Sequence, residues 1–380
     1  MAKGQAMIRS LLLLAVLALA AGVGLWLIVK SRNMQYWIGA YWRGEWRAAR
    51  ALPAGETVHV YFCFADHYEP YGYGADKALA RKRVDRWLTE YPMIARRHRD
   101  SEGRHPAHSF FYPAEEYDEA ILDDIAGLCR DGFGDVEVHL HHDNDNAANL
   151  EKTLNEFKAK LHERHGLLRR DPLTHEIVYC FIHGNWALDN SRPDGRWCGV
   201  DNEINVLVDT GCRCDMTMPS APSDTQTNKI NSIYFAQGHA GCRKSHDHGR
   251  DAAVGTWRTP EELLLIQGPL GLNWARRKFG LIPRIESAEI SADAPPTAQR
   301  VALWEEFAPV VQGAPHHVFI KVHTHGAVED TMDMLFGGGF NTLWSALEAR
   351  FRDRPGYKLH YVSAWQMAER VRELCTAKAA

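Results

Sequence analysis

This 380-residue sequence lacks an excess of basic residues, internal repeats and a Cys-x-x-Cys pair, and each absence disfavours a class of function or of site. Lys and Arg total 44 against 48 Asp and Glu, so the formal net charge of −4 gives no bulk basic field for binding nucleic acid. There is no internal repeat or low-complexity tract, and none of the eight cysteines forms a Cys-x-x-Cys pair. The hydrophobic share of 45% and charged share of 24% are ordinary globular values, which suit one large α/β domain or two smaller ones.

The cysteines fall into two groups. Cys63, Cys129 and Cys180 lie in apolar stretches, as is typical of buried thiols. The second group lies in a loop-rich middle region and comprises Cys198, Cys212, Cys214 and Cys242. Three interpretations stay open there: disulfides in an oxidising compartment, a structural zinc site, or free buried thiols. The missing Cys-x-x-Cys pair makes zinc the least favoured of the three.

One long apolar run is present, at residues 8 to 29, and it is free of charge from Leu11 to Val29. That length suits a helix that crosses a hydrocarbon core of about 30 Å. Ala18-Leu19-Ala20 resembles a signal-peptide cleavage site, but the apolar run continues well beyond it, which favours an uncleaved anchor. We therefore predict a single-pass membrane protein, with residues 1–50 as anchor and linker and residues 51–380 as one catalytic domain.

The sidedness of the anchor depends on two opposed signals. Basic residues such as Arg43 and Arg47 follow the run and would keep the body in the cytoplasm, although long domains override that bias. The clustered cysteines favour an oxidising compartment, so we expect a bacterial inner-membrane protein with its body in the periplasm. The aromatic and basic segment from Tyr36 to Trp46 is typical of a helix at the membrane surface.

Along the rest of the chain, short β-branched or aromatic runs alternate with longer helical patterns. Strands are predicted at 57–64, 108–112, 135–141, 176–183, 213–218, 230–235, 262–267, 317–323 and 357–362. Helices are predicted at 78–98, 117–130, 147–164, 201–209, 298–309, 340–352 and 364–375. Such alternation indicates βαβ units and a parallel sheet. Seven or eight units in this length predict a single distorted (β/α) barrel.

Polar side chains with catalytic potential follow the predicted strands at their carboxyl ends. They are Asp66, His67, Glu69, Glu115, His141, His142, Asp145, His183, Asn185, Trp186, Asp215, His323 and His325. In a β/α barrel all these strand ends open on one face, where active sites are built. We therefore expect one cavity to receive them.

The segment from His139 to Asp145 is the strongest single signal, because it is crowded with His and Asp directly after an apolar strand. Mixed nitrogen and oxygen ligands suit zinc or another divalent transition metal, and a site with an open position activates water. His323 and His325 alternate with Val322 and Thr324, so both lie on one face of their strand. One of them is a candidate general acid.

Four short segments of this sequence resemble, in their order along the chain, the motifs of the polysaccharide deacetylases. CFAD ends at Asp66, in the place of the family's metal-binding Asp, while Ala65 stands where the family has its base. EVHLH ends at His141, in the place of the first His of an HxxxH word, and Asp145 stands at the second. FIHGNW takes the place of an Arg-containing word, and IKVHTH resembles the last motif. FADHYEP and HGNWALDNSRPDG also resemble uncharacterised deacetylase-like proteins associated with surface polysaccharide synthesis.

This resemblance implies a metal-dependent hydrolase that removes N-acetyl or other acyl groups from a polysaccharide. It implies a divalent metal, with zinc expected, at Asp66, His141, Asp145 and His142. The base would come from His67, Glu69 or Glu115, and His323 or His325 would protonate the leaving amine. The remaining candidates, expected to contact the glycan, are Glu115, His183, Asn185, Trp186 and Asp215.

Two other function classes stay open. A metal-independent glycoside hydrolase would use a carboxylate pair, such as Glu69 with Glu115 or Asp215. A non-catalytic glycan-binding barrel is the other, and Ala65 is the feature in its favour. Sensitivity to a chelator separates the first of these from the deacetylase.

Overall fold

The computed structural model describes residues 2–49 and 55–377. The predicted boundary between anchor and catalytic domain, at residues 50 and 51, lies outside the described residues. The helices are α1 Ala2–Ser31, α2 Ile38–Arg43, α3 Glu45–Ala48, α4 Lys77–Ala95, α5 Glu119–Arg130, α6 Ala147–Ala159, α7 Glu203–Asp209, α8 Ala298–Phe307, α9 Glu329–Met334, α10 Phe340–Leu347 and α11 Ala364–Thr376. Helix starts agree with local chemistry: Asp76 accepts from Leu79 N at the start of α4, and Ser363 forms a capping box at α11.

The strands alternate with these helices along most of the chain. They are β1 Val58–His67, β2 His108–Pro113, β3 Gly134–Leu140, β4 Arg169–Arg170, β5 Ile177–His183, β6 Cys212–Asp215, β7 Ile233–Gln237, β8 Arg250–Asp251, β9 Glu262–Ile266, β10 Gly271–Lys278, β11 Ile282–Glu286, β12 Val310–Val311, β13 Ala314–Thr324 and β14 Tyr357–Tyr361. The antiparallel hairpin of β10 and β11 has no counterpart among the predicted elements.

The main sheet is mostly parallel, in the order β12-β13-β1-β2-β3-β5-β6-β9-β7-β8, with β14 also paired to β1. This confirms the predicted α/β class with a large parallel sheet. The predicted barrel is not closed by a continuous ladder among the described strands. The two ends of the sheet approach each other at an isolated bridge between Ala253 and Gln312.

Each strand sends alternate side chains to two faces of the sheet, as strand geometry requires. On the inner face, side chains such as Cys63, Phe111 and Phe319 from different strands pack together and against α11. On the outer face, side chains such as Phe64 and Val138 pack against the surrounding helices. Odd-numbered residues of β1 face inward and even-numbered ones face outward, and this alternation decides where each candidate residue points.

The N-terminal helix α1 contains the one candidate membrane span among the described residues, Arg9–Ser31, with a mean hydropathy of 2.7 and no buried portion. A signal sequence passes the same test, so the helix by itself does not fix the localisation.

The aromatic segment after α1 differs from the prediction of a helix at the membrane surface. Trp37, Tyr41 and Trp46 are buried in a small core with Leu270 and Phe307 of the body. Only Trp42 of the neighbouring aromatic side chains is largely exposed, at 65%. The apolar faces of α2 and α3 therefore find a partner in the protein itself.

Candidate metal centre

The carboxyl ends of β1, β3 and β13 bring several histidines together on the inner face. The His67 ring lies 4.9 Å from the His139 ring and 4.7 Å from the His325 ring, measured between centroids. Glu69 follows β1, and its Oε1 is 3.1 Å from His139 Nε2. His67, Glu69 and His139 each offer one ligand atom, and these three atoms lie within 4.8 Å of one another. We name these three residues the open cluster.

The hydrogen bonds of His139 fix its tautomer. Its Nδ1 lies 2.7 Å from the carbonyl oxygen of Ile182, and a carbonyl only accepts, so Nδ1–H donates. In the neutral ring, Nε2 then presents a lone pair to the Glu69 carboxylate, which is also an acceptor. A proton on Nε2, which then donates to Glu69, or a metal cation between the two atoms resolves this conflict. Metal-binding histidines are held in this way, with the second nitrogen donating to a carbonyl or carboxylate.

The rim of the open cluster is reached by solvent. Glu115 Oε1 accepts from His141 Nδ1 at 2.6 Å and from the His141 backbone at 3.1 Å. His141 Nε2 lies 3.6 Å from Glu69 Oε1, and the His141 and Glu115 side chains are 32% and 37% exposed. The Trp186 ring stands 5.9 Å from His67 and 5.8 Å from His325. The three cluster residues are themselves buried, so the partly exposed His141 and Glu115 mark the side of the cluster nearest to solvent.

Burial and neighbouring charges favour the neutral form of His67 and the ionised form of Glu69, whereas they favour the protonated form of His141. Burial, together with neighbouring His325 and His139, lowers the pKa of His67 well below its usual value, which keeps the ring neutral. Burial alone would raise the pKa of Glu69, but the hydrogen bond from His139 and the surrounding imidazoles leave it lowered. Burial also opposes protonation of His141, yet Glu115 and Glu69 raise its pKa. Neutral imidazole and ionised carboxylate are the states that bind metals.

A second group of candidate ligands occupies the outer face, at the ends of β3 and β5 and in the connection to α7. It consists of His142, His183, Cys198 and Glu203, whose ligand atoms also lie within 4.8 Å of one another. We name these four residues the closed cluster. The side chains of His183 and Glu203 are fully buried and that of His142 is 7% exposed. Two groups able to hold a metal thus exist in the described part of the chain.

The sequence-predicted metal ligands are divided between these places. Asp66 lies on the outer face, where its Oδ2 is 2.9 Å from His108 Nε2 and its Oδ1 accepts from the Gly326 backbone at 2.6 Å. It belongs to neither cluster. His142 is in the closed cluster, and Asp145 stands behind it with Oδ2 3.1 Å from His142 Nδ1. His141 is at the rim of the open cluster.

The other predicted site residues are also spread over two faces. His67, Glu69, Glu115, Trp186 and His325 meet at the open cluster, whereas His183 joins the closed cluster. Three predicted residues remain. Asn185 lies beside Trp186 and has a left-handed φ of 54°. Thr217 donates to the Asp215 carboxylate, and the His323 ring lies 6.3 Å from the His67 ring. Burial raises the pKa of Asp215 to about 7 and lowers that of His323.

Sequence reasoning did not select His139, Cys198 or Glu203 as ligands. His139 had a usable signal, since it alternates with His141 on a strand and so shares its face. Glu203 and Cys198 had none, because they follow a long irregular connection in which no periodicity indicates direction.

Comparison with known proteins gives likenesses only among solved structures. No family model matches this chain, and no curated protein matches it. Among solved structures, the chain is similar to an α-mannosidase from Enterococcus faecalis V583, with a TM-score of 0.40 and 10% sequence identity. The match covers 83% of this chain and 29% of that one, so this chain spans less than a third of its length. A TM-score at this level does not establish a common fold.

Proposed function

We propose that the protein is a metal-dependent hydrolase that removes an acyl group, N-acetyl in the simplest case, from a glycan. The observation that carries this is the convergence of one ligand atom each from His67, Glu69 and His139 within 4.8 Å, with His139 Nδ1 donating to Ile182 so that Nε2 is directed at Glu69. Three protein ligands beside a partly exposed rim fit the arrangement of catalytic zinc sites, which keep one position open. We also propose the distorted β/α barrel of the deacetylases, with the Ala253–Gln312 bridge as its seam.

His67, Glu69 and His139 would hold a divalent metal, for which zinc is the best fit to two imidazoles and a carboxylate. When bound, the metal would polarise the acyl carbonyl and lower the pKa of a water molecule. This ligand set differs from the one that the motif resemblance implies. Asp66 faces the other side of the sheet, so the acid that follows β1 on the inner side is Glu69.

Two groups at the rim fit the proton transfers of acyl hydrolysis. His141 donates from Nδ1 to Glu115, which leaves Nε2 free to accept the proton of the attacking water. His325 is half-buried against His67 and Trp186 and fits the donor to the leaving amine. Trp186 offers an aromatic face on which a sugar ring can stack.

The glycan as substrate class rests on the resemblance of FADHYEP, EVHLH and IKVHTH to the deacetylase motifs. The candidate span Arg9–Ser31 supports a membrane-anchored enzyme, and we propose that its body faces the periplasm, where surface polysaccharides are exported.

The test is acetate release from N-acetylated polysaccharides by the full chain, purified in detergent. We expect release that stops with a chelator, returns with zinc, and is lost in His139→Ala. His248→Ala is the matched control, since His248 is an exposed histidine far along the chain. Cleavage of glycosidic bonds that ignores the chelator would instead support the metal-independent glycosidase. Glu69 and Glu115, which flank His141, would be its carboxylate pair.

A further inference from the structure

We infer that the closed cluster is a second metal site, a structural zinc site that fastens the connection of residues 184–202 to the ends of β3 and β5. This inference stands apart from the proposed hydrolysis, because none of its ligands faces the open cluster. It rests on the direction of lone pairs, on the ligand types and on burial.

The tautomers of His183 and His142 are set by the hydrogen bonds that their Nδ1 atoms donate on the side away from the cluster. His183 Nδ1 lies 2.5 Å from the carbonyl oxygen of Gly184, so it donates there. His142 Nδ1 donates to the carboxylate of Asp145 at 3.1 Å. In neutral rings both Nε2 atoms therefore carry lone pairs, and they point at each other across 2.9 Å.

Glu203 adds a third acceptor to the same point. Its Oε1 is 3.1 Å from His142 Nε2 and 3.3 Å from His183 Nε2. Its Oε2 accepts from the backbone of Asp189 at 2.6 Å, so Oε1 is the oxygen left for another partner. Three converging acceptors in a buried site repel one another unless a cation lies among them.

Cys198 supplies the fourth ligand. Its sulfur lies 3.5 Å from Glu203 Oε2, and it is fully buried. Two imidazoles, one thiolate and one carboxylate, with ligand atoms within 4.8 Å of one another, are a ligand set that zinc accepts. The chain Asp145–His142 behind the site is the carboxylate–histidine arrangement that orients zinc ligands.

Four buried protein ligands leave no open position, which is the mark of a structural rather than a catalytic zinc site. The connection that they fasten is irregular: Asn185, Trp186, Asp189 and Asn190 all have left-handed φ values between 50° and 55°. Such conformations persist where the surroundings determine them. Because this connection carries Trp186, the metal would also hold the aromatic wall of the open cluster in place.

The competing occupant is a proton shared by His142, His183 and Glu203. In that case Cys198 stays a neutral thiol and takes no part. The thiolate therefore distinguishes a metal from a proton, and the experiment is designed to observe it.

The full chain in detergent would be stripped with a chelator and titrated with Co²⁺. Cobalt bound to a thiolate shows a sulfur-to-metal charge-transfer band in the near ultraviolet, and the open cluster contains no cysteine. We expect one equivalent of cobalt to give this band, and Cys198→Ser to abolish it. His139→Ala, in the open cluster, and Cys242→Ser, at an exposed cysteine, should retain it.

Cobalt bound without the band, or a band that survives in Cys198→Ser, overturns the inference. If Cys198→Ser does not fold, zinc X-ray absorption of the wild-type chain decides instead. A sulfur ligand at about 2.3 Å is expected there, and its absence overturns the inference. Neither readout needs turnover, so failure here leaves the proposed hydrolysis standing, and failure to release acetate leaves this site standing.

Discussion

The open and closed clusters share the end of β3 but lie on opposite faces of the sheet. β3 leads to His139 on the inner face and to His142 on the outer face. β5 gives the carbonyl of Ile182 to the first and the side chain of His183 to the second. The open cluster has three candidate ligands and a partly exposed rim, whereas the closed cluster has four candidate ligands whose side chains are buried. Strand alternation therefore directs nearby residues of one strand to the proposed reaction centre on one face and to the proposed structural site on the other.

The largest expected effect is on stability, from His183→Ala in the closed cluster. Losing this ligand removes one of the two imidazoles that contact the buried Glu203 carboxylate, which costs about 3–5 kcal/mol. Tm should fall by roughly 10 °C, as measured by circular dichroism of the full chain in detergent. His139→Ala is the matched loss of one imidazole and should lower Tm much less. Equal falls in Tm would remove the distinction between a folding site and a chemical one.

The next effect is on turnover, from His139→Ala in the open cluster. Removing a ligand of the catalytic metal should lower kcat/KM for acetate release by roughly 100- to 1000-fold. Bound zinc should fall by one equivalent while the near-ultraviolet cobalt band persists. A variant that keeps full activity would show that the open cluster is not the reaction centre.

The comparison also explains what the sequence could and could not predict. The strands around 135–141 and 317–323 were predicted at nearly their observed places, because apolar alternation marks them. The same alternation puts His323 inward with Phe319, as predicted for that strand. However, the sequence predicts one metal-binding unit from His139 to Asp145, whereas His139 and His142 lie on opposite faces of the sheet.

The family position of Asp66 shows a second limit. The motif resemblance makes it a metal ligand, and that assignment remains a prediction. In the structure both its oxygens are engaged, by His108 and by the Gly326 backbone, on the helix-covered face. The order of the motifs indicates which strand end carries a candidate ligand. The face of the sheet on which that side chain lies is decided by the alternation of side chains along the strand. A shift of one residue between related words is enough to exchange the faces.

The sequence pattern does not bring Cys198 and Glu203 together with His183, although a structural zinc site is one of the interpretations left open for the cysteine group that contains Cys198. Cys198 and Glu203 reach it through an irregular connection with several left-handed residues, and no helical or strand period relates them to His183. The absence of a Cys-x-x-Cys pair pointed away from zinc, because that rule describes sites built from paired cysteines. A single cysteine combined with two histidines and a glutamate leaves no such spacing.

A smaller effect should separate the clusters through the residue behind His142. Asp145→Asn keeps an acceptor for His142 Nδ1 but removes the negative charge that strengthens the imidazole as a ligand. Metal affinity at the closed cluster should weaken by roughly 10- to 100-fold, as measured by chelator competition using the cobalt band. Affinity at the open cluster should be unchanged. Equal weakening at both would indicate one coupled centre instead of two.

The smallest effect is expected at the rim, from Glu115→Gln. The amide oxygen can still accept from His141 Nδ1, but the lost charge makes the imidazole a weaker proton acceptor. We expect kcat to fall by roughly tenfold with KM and zinc content nearly unchanged. Glu119→Gln, at an exposed carboxylate on α5, is the control and should alter neither value. A fall in zinc content would place Glu115 and His141 among the ligands, and the open cluster would then have no position left for water.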